Sequence, residues 1–213
     1  YSEQDIKAIA AILEKHNHVY ILSDDIYEHV TYEGFKFFTI AQIESLKDRV
    51  LTMNGVSKAY SMTGWRIGYA AGRKDLIKAM IKIQGQSTSN PSSISQYAAL
   101  AGMQGNRDFL IPCLKAFNDR RKLVVNGLNA IEGIKCLMPK GAFYAYPNLN
   151  GLIGRKTNDG KVLNDDTSIT TWLLDNAKVA TVPGIAFGLE PFLRISYATS
   201  YEILEEALHN IKS

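Results

Sequence analysis

Short apolar runs alternate along the first half of the chain with longer segments whose apolar residues recur at helical spacing. The runs at residues 19–22 and 50–53 are mainly apolar, which is typical of strands that are buried on both faces. A third strand-like run covers residues 65–71. Helical spacing recurs at residues 6–13, 74–84 and 92–103. Ser2 is a favourable N-cap for the first of these helices. This alternation predicts an α/β layer with a mostly parallel sheet.

A long helical pattern at residues 108–131 separates this layer from the rest of the chain. Strand-like segments follow at residues 142–146 and 193–197, and helical patterns at residues 168–178 and 200–211. These short elements predict a small α+β unit. We therefore predict that residues 1–115 are part of an α/β large domain and that residues 116–213 are a small C-terminal domain, with the boundary inside the long helix.

The composition of the 213 residues is that of an ordinary globular protein, with 46% hydrophobic and 21% charged residues. The net charge of +3 is too small an excess to indicate nucleic-acid binding. Cys113 and Cys136 lack metal-ligand spacing, and we expect both to be buried free thiols in a reducing, cytoplasmic compartment. No metal site is predicted. No apolar run approaches the ~18 residues that a membrane-spanning helix requires.

Reactive side chains are concentrated after the first two strand-like runs. The segment DDIY carries Asp24 and Tyr27, and the segment SKAYSMTGWRIGY carries Lys58 and Arg66. Pyridoxal 5'-phosphate chemistry needs this set: an amine for a Schiff base, an anion for the pyridine nitrogen, a donor for the ring oxygen and a cation for the phosphate. Taken singly, Lys58 would be a solvated loop residue and Asp24 a turn cap. Ligands of parallel sheets bind beyond the carboxyl ends of the strands, where both residues fall.

The two segments resemble the motifs of the fold-type I pyridoxal-phosphate aminotransferases, in the class I group that includes aspartate aminotransferase. The resemblance implies that Lys58 forms the Schiff base and then moves the proton of the substrate α-carbon. It also implies that Asp24 pairs with the pyridinium nitrogen and that Tyr27 donates to the ring oxygen. Arg66 would grip the phosphate with its planar fork, which would offset the cost of a charge inside an apolar strand-like run.

Two positions beside these motifs have alternative interpretations. The pattern Asp-x-x-Tyr selects Asp24, so the adjacent Asp25 is expected to be a helix N-terminal or surface acid. The family usually has a serine three residues before the lysine, as a phosphate ligand, where this chain has Gly55. Ser57, directly before Lys58, is the remaining candidate for that role, with plain loop structure as the alternative.

The segment FLRISY, near the end of the chain, resembles the family signature whose arginine clamps the α-carboxylate of the substrate. That arginine is Arg194 here. A bidentate pair would fix the orientation of the amino acid, whereas the alternative is a salt bridge within the small domain. The segments GAFY and VPGIAFG also match the family, and we expect them to be packing and loop elements near the substrate mouth.

The resemblance covers the whole chain but only the C-terminal half of such an enzyme. We therefore expect a fragment that is inactive alone and belongs to a homodimeric parent. The implied reaction exchanges an amino group between an amino acid, with aspartate as the best guess, and a 2-oxo acid such as 2-oxoglutarate, by a ping-pong Schiff-base mechanism. Aromatic amino acids and prephenate stay open as substrates. The alternatives are a fold-type I enzyme similar to aminocyclopropane-carboxylate synthase or C–S lyase, and a non-catalytic α/β dimerisation module.

Overall fold

The computed structural model describes residues 1–158 and 160–212. The chain forms two compact units, of which the first is Tyr1–Pro112 and the second begins at Cys113. The long helix α4, Leu110–Asn129, lies where the pattern of residues 108–131 predicted a helix, and this division falls near its start. Each unit has its own three-stranded sheet. Within the described residues, no helix is both long and apolar enough to cross a membrane.

The first unit opens with helix α1, Glu3–Leu13, and its start is fixed by local capping. The Ser2 hydroxyl accepts a hydrogen bond from the Asp5 backbone N–H at 3.2 Å, and the Asp5 carboxylate accepts one from the Ser2 N–H at 2.8 Å. This reciprocal arrangement is a capping box, which satisfies N–H groups that the first turn leaves without helical partners. The predicted start of the helix is confirmed.

The sheet of the first unit has the strand order β1-β2-β3, with β1 at Ile21–Asp24, β2 at Val50–Gly55 and β3 at Gly68–Ala71. The strands β1 and β2 are parallel, whereas β3 pairs with β2 in the antiparallel direction. The α/β fold class is confirmed, and the predicted parallel order holds for the first pair only. The third strand is also shorter than predicted, because residues Thr63–Trp65 form a 3-10 turn instead.

Strand β1 differs from the predicted strand at residues 19–22 in both position and burial. It begins two residues later, and its side chains alternate between partly buried and exposed. Ile21 packs against a core that includes Ala10 of α1 and Val50 of β2, whereas Leu22 on the opposite face is 61% exposed. The expectation of a strand buried on both faces was therefore wrong, because only one face of β1 is covered within the described residues.

Helices α2, Lys74–Ser87, and α3, Ser93–Gln104, follow the sheet at the predicted positions. Ala99 of α3 is 1% exposed and packs with Val56 and Ile67 in a second core cluster. No residue of α2 is buried. Short 3-10 turns complete the unit at Ile40–Gln42, Glu44–Arg49 and Thr63–Trp65.

The second unit contains an antiparallel sheet with the strand order β4-β6-β5, where β4 is Tyr144–Ala145, β5 is Val182–Pro183 and β6 is Leu193–Ser196. The strand predicted at residues 142–146 is reduced to two residues, and Ala142 before it has a positive φ of 58° that interrupts extended structure. The helices of the second unit are the rest of α4, α5 at Asp166–Trp172 and α6 at Tyr201–Lys212. A π-helical turn at Leu173–Ala177 and a 3-10 turn at Gly184–Phe187 complete the unit.

The two cysteines lie in different environments. Cys136 is buried, as predicted, and desolvation by burial raises the pKa of its thiol. Cys113, at the start of the second unit, is exposed, so the expectation that it would be buried was wrong. Both are free thiols.

Candidate active site

Three of the predicted site residues lie at one edge of the first sheet. Asp24 is the last residue of β1, and Lys58 follows the end of the parallel strand β2. Antiparallel β3 starts at that same edge, where Gly68 pairs with Gly55, so Arg66 just before it also lies there. The topology alone therefore brings a carboxylate, an amine and a guanidinium to the carboxyl edge of β1 and β2, where α/β sheets bind their ligands.

Asp24 and Asp25 differ sharply in environment. Asp24 is exposed, and its Oδ1 accepts a hydrogen bond from the Ile26 backbone N–H at 3.2 Å, which is a local turn interaction. Asp25 is 7% exposed, its Oδ1 accepts from the Ser23 hydroxyl at 2.7 Å, and its N–H donates to the Met53 carbonyl at 2.8 Å. The expectation that Asp25 is a surface or helix N-terminal acid was wrong, because the neighbouring strand draws it into the interior.

Tyr27 is partly buried in the turn that follows β1. Its carbonyl accepts a hydrogen bond from the Val30 N–H at 2.9 Å. The next residue, Glu28, accepts a hydrogen bond from the Asn54 side-chain amide at 2.8 Å and so ties this turn to the end of β2. The His29 ring also meets the Tyr60 ring edge-on, with 6.3 Å between centroids. The turn that carries the phenol is therefore held against the loop that carries Lys58.

Lys58 lies in a closed loop after β2 and is partly buried. Its carbonyl accepts a hydrogen bond from the Ser61 N–H at 3.1 Å, and the Met62 N–H closes the loop on the Val56 carbonyl at 3.3 Å. Ser57 is also partly buried. Its assignment as a phosphate ligand stays a prediction.

Arg66 is not in a strand, contrary to the sequence-based expectation. It ends the 3-10 turn Thr63–Trp65 with a left-handed φ of 55°, and its guanidinium is exposed. Its Nη1 donates to the Thr63 carbonyl at 3.0 Å. Because the side chain is solvated, no burial cost has to be offset by a phosphate. The assignment of Arg66 as the phosphate ligand stays a prediction.

Gly55 occupies the position where the family usually has a serine, and the close approach of β2 and β3 accounts for it. A Cβ at Gly55 would lie 3.0 Å from the Ile67 carbonyl oxygen and 3.3 Å from the Gly68 Cα. These are backbone atoms, which cannot swing away as a flexible side chain can. Any side chain at this position would push against the segment that leads from Arg66 into β3.

Arg194 lies in the middle of the second unit's sheet, on β6, opposite Val182 of β5. Its guanidinium carbon lies 4.6 Å from the centroid of the Tyr144 ring and 4.5 Å from that of the Phe187 ring. These distances are those of cation–π contacts. Among the described residues, no carboxylate forms an ion pair with it. The predicted alternative of a small-domain salt bridge therefore finds no support in residues 1–158 and 160–212.

A buried carboxylate that the sequence did not single out lies against the 3-10 turn Gly184–Phe187. Asp166 is 1% exposed, and its Oδ2 accepts a hydrogen bond from the Ile185 N–H at 3.0 Å. The Tyr146 hydroxyl donates to the Gly184 carbonyl at 3.3 Å. Burial raises the pKa of Tyr146, the charge of Asp166 raises it further, and Arg194 opposes both. The segment VPGIAFG signalled this turn, but its partner at position 166 lies too far away in sequence to be inferred.

Comparison with known proteins gives consistent results. A sequence model of the family described as aminotransferase class I and II matches residues 1–211. The aspartate aminotransferase of Rhizobium meliloti is 55% identical over 212 residues, which are 99% of this chain and 52% of that protein. The "Probable aspartate/prephenate aminotransferase" of Rickettsia bellii is 54% identical over 208 residues, 97% of this chain and 52% of that protein.

Solved structures agree with the sequence relatives. The crystal structure of the aspartate aminotransferase from Rhizobium meliloti superimposes with a TM-score of 0.97 and 54% sequence identity, and the match covers 100% of this chain and 53% of that one. The chain therefore spans about half the length of the relatives it matches.

Proposed function

Because the chain belongs to the aminotransferase class I and II family, we propose that it carries catalytic, cofactor-binding and substrate-binding residues of a pyridoxal-phosphate-dependent aminotransferase. The complete protein would exchange an amino group between an amino acid and a 2-oxo acid. Aspartate and 2-oxoglutarate are the proposed pair. The observation that carries the proposal is the common sheet edge of Asp24, Lys58 and Arg66.

The donor set at this edge fits pyridoxal phosphate. Lys58 would bond to the aldehyde carbon, and Asp24 would accept a hydrogen bond from the N–H of the pyridine ring. Arg66 would bind the phosphate, and the Ser57 hydroxyl would donate a further hydrogen bond to it. Tyr27 would donate to the ring oxygen. When bound, the cofactor supplies an electron sink that makes the α-proton of an amino acid acidic. The exposure of Asp24 and Arg66 leaves both groups accessible to a ligand at this edge.

Lys58 would also act as the base. A lysine amine is a compact group on a flexible stem, and it is a competent base once it is uncharged. It would take the proton from the substrate α-carbon on one face of the substrate. The hydrogen bonds that close the loop of residues 56–62 limit the movement of the Lys58 backbone. The amine would therefore reach the substrate from a fixed backbone position.

Arg194 would bind the α-carboxylate of the amino acid. Two parallel N–H groups of one guanidinium match the two oxygens of a carboxylate, which fixes the direction of the α-carbon. Orientation of this kind contributes to rate as well as to affinity, because the bond to be broken must be held in one direction. The absence of a carboxylate partner for Arg194 among the described residues supports this role.

The choice of aspartate rests on relatives. The relative from Rhizobium meliloti is named an aspartate aminotransferase, and the one from Rickettsia bellii is named for aspartate and prephenate. Prephenate is therefore the second acceptor to test. Since the chain spans about half of these proteins, the reaction is proposed for the complete protein.

The deciding experiment combines an absorbance spectrum with a product assay on the complete protein. With added pyridoxal phosphate, we expect a protein-bound absorption band that aspartate bleaches, together with formation of oxaloacetate and, with 2-oxoglutarate present, glutamate. Lys58→Ala should abolish both. Release of ammonia in place of glutamate would indicate an elimination enzyme, and amino transfer that Lys58→Ala leaves unchanged would overturn the proposal.

A further inference from the structure

Among the described residues, the buried carboxylate of Asp166 has no hydrogen bond to a side chain with a proposed catalytic role. Its Oδ1 accepts a hydrogen bond from the Thr167 hydroxyl at 3.5 Å, and its Oδ2 accepts one from the Ile185 N–H. Ile185 is near the start of the 3-10 turn Gly184–Phe187, which ends at one of the rings beside Arg194. We propose that Asp166 is a positioning residue for substrate carboxylate binding, acting through this turn on the Phe187 ring and thereby on the Arg194 guanidinium. This inference rests on the proposed function of Arg194.

The first step is the geometry around Arg194. All five N–H bonds of a guanidinium lie in its plane, so its two faces carry no donors. Tyr144 and Phe187 lie 4.6 Å and 4.5 Å from the guanidinium carbon, and both are within cation–π distance. Rings placed in this way restrict rotation of the guanidinium and favour approach of a carboxylate along its edge. Approach along the edge is what a bidentate pair requires.

The second step is how Phe187 is held. The ring is 49% exposed, so packing alone fixes it weakly. Its position depends on the short turn Gly184–Phe187, which the Gly188 N–H closes on the Ile185 carbonyl at 3.0 Å. The Tyr146 ring meets the Phe187 ring edge-on, with 6.2 Å between centroids. A turn of four residues has few internal hydrogen bonds, so external contacts determine its orientation.

The third step is the contribution of Asp166. The Ile185 N–H belongs to the first turn, where backbone donors lack helical partners, and the Asp166 carboxylate accepts from it at 3.0 Å. Asp166 is almost fully buried, so this bond is shielded from water. Loss of the carboxylate would free the turn and let the Phe187 ring move away from the guanidinium.

The test uses single variants of the complete protein, with aspartate and 2-oxoglutarate as substrates and succinate, which has no amino group, as a binding probe. For Asp166→Ala we expect KM for aspartate and Kd for succinate to rise about tenfold, the scale of a modestly misplaced binding group, with kcat within about twofold. Asp166→Asn keeps an oxygen acceptor and should restore KM to within about twofold of the original.

Asp165→Ala is the matched control. Asp165 is the adjacent residue and caps α5 through the Ser168 N–H at 2.6 Å, but it makes no hydrogen bond to the turn. We expect this variant to lower the melting temperature without changing KM or Kd. A melting temperature lowered by Asp166→Ala with KM and Kd unchanged would overturn the inference, since Asp166 would then be structural only. If Asp166→Ala and Asp166→Asn raised KM equally, the effect would not depend on the hydrogen bond from the Ile185 N–H.

A double-variant cycle tests whether the effect passes through Phe187. Phe187→Leu removes the ring but keeps an apolar side chain, and we expect Asp166→Ala to add less than about twofold to KM in that background. If the two substitutions together raised KM by the product of their separate effects, Asp166 would not act through Phe187. If Asp166→Ala does not fold, Asp166→Ser takes its place. Failure of the proposed function gives a different result, because the unsubstituted protein would then show no amino transfer at all.

Discussion

Asp24 and Asp25 are consecutive in sequence, yet only the second is buried, and its Oδ1 accepts a hydrogen bond from the Ser23 hydroxyl at 2.7 Å. Asp24 is the last residue of β1, and the Asp25 backbone N–H that follows it donates to the Met53 carbonyl of β2 at 2.8 Å. One carboxylate is thereby used in the interior, and the other is left accessible at the sheet edge. We expect the two residues to have different roles, which mutagenesis can separate.

We predict that Asp24→Ala and Asp25→Ala have opposite effects on activity and stability. Asp24→Ala should change the free energy of unfolding by no more than about 0.5 kcal/mol, as for a surface substitution, and should lower the amino-transfer rate about a hundredfold or more. Asp25→Ala removes a buried acceptor and should cost about 1–3 kcal/mol of stability, with a near-normal rate well below the melting temperature. Urea unfolding and product formation measure both. If Asp24→Ala lowered stability and Asp25→Ala lowered the rate instead, Asp25 would be the residue that contacts the cofactor.

Local signals made part of this fold predictable. The start of α1 follows from Ser2 and Asp5, which lie three residues apart and satisfy one another's backbone groups, so nothing distant is needed to place it. The candidate residues Asp24 and Lys58 were likewise found from short motifs and from the rule that ligands bind at strand ends.

The predictions that were wrong, and the residue that was not predicted, have non-local causes. Asp25 is buried because its N–H meets the Met53 carbonyl of the neighbouring strand, a pairing that no local pattern reveals. Arg66 was read as part of a strand because its neighbours are apolar, whereas its φ of 55° ends a turn. Asp166 gave no signal, since its partner Ile185 becomes a neighbour only when the second unit has folded.

Arg194→Lys should raise KM for aspartate roughly ten- to a hundredfold in the complete protein, while kcat changes less. Lysine keeps the charge but loses the planar fork, so the proposed bidentate carboxylate pair and the stacking on two rings are both lost. The control substrate is an amine without an α-carboxylate. Its turnover should be affected little, and an equal loss for the amine and for aspartate would contradict the carboxylate role.

The two cysteines should differ in reactivity. The thiolate is the nucleophile, and burial raises the pKa of Cys136, so less thiolate is present there near neutral pH than in an unfolded chain. Cys113 is exposed. With iodoacetamide at pH 7.5 (chosen near neutrality), we expect alkylation of Cys113 in the native protein and of Cys136 only in denaturant. The Cys113→Ser variant is the control. Mass spectrometry should show no alkylation of this variant until it is unfolded.

The raised pKa of Cys136 also gives a direction for stability. Above the ordinary thiol pKa, the unfolded chain releases the proton while the folded chain still holds it, so stability is lost as the pH rises. Cys136→Ala should flatten this alkaline decline in urea-unfolding curves, and Cys113→Ser should not. A decline that is identical in all three proteins would show that another group causes it.

Gly55→Ser tests whether the serine that the family commonly has at this position could be accommodated in this chain. A Cβ would lie 3.0 Å from the Ile67 carbonyl oxygen, so β2 and β3 would have to separate slightly. We expect a loss of about 1–3 kcal/mol in the free energy of unfolding, as for overpacking of a close contact. We also expect weaker pyridoxal phosphate binding, because Arg66, the proposed phosphate ligand, precedes the displaced segment. Gly64→Ser is the matched control, since a Cβ there has no atom within 4 Å. Tighter cofactor binding by Gly55→Ser at unchanged stability would show that the contact yields and that the hydroxyl reaches the phosphate.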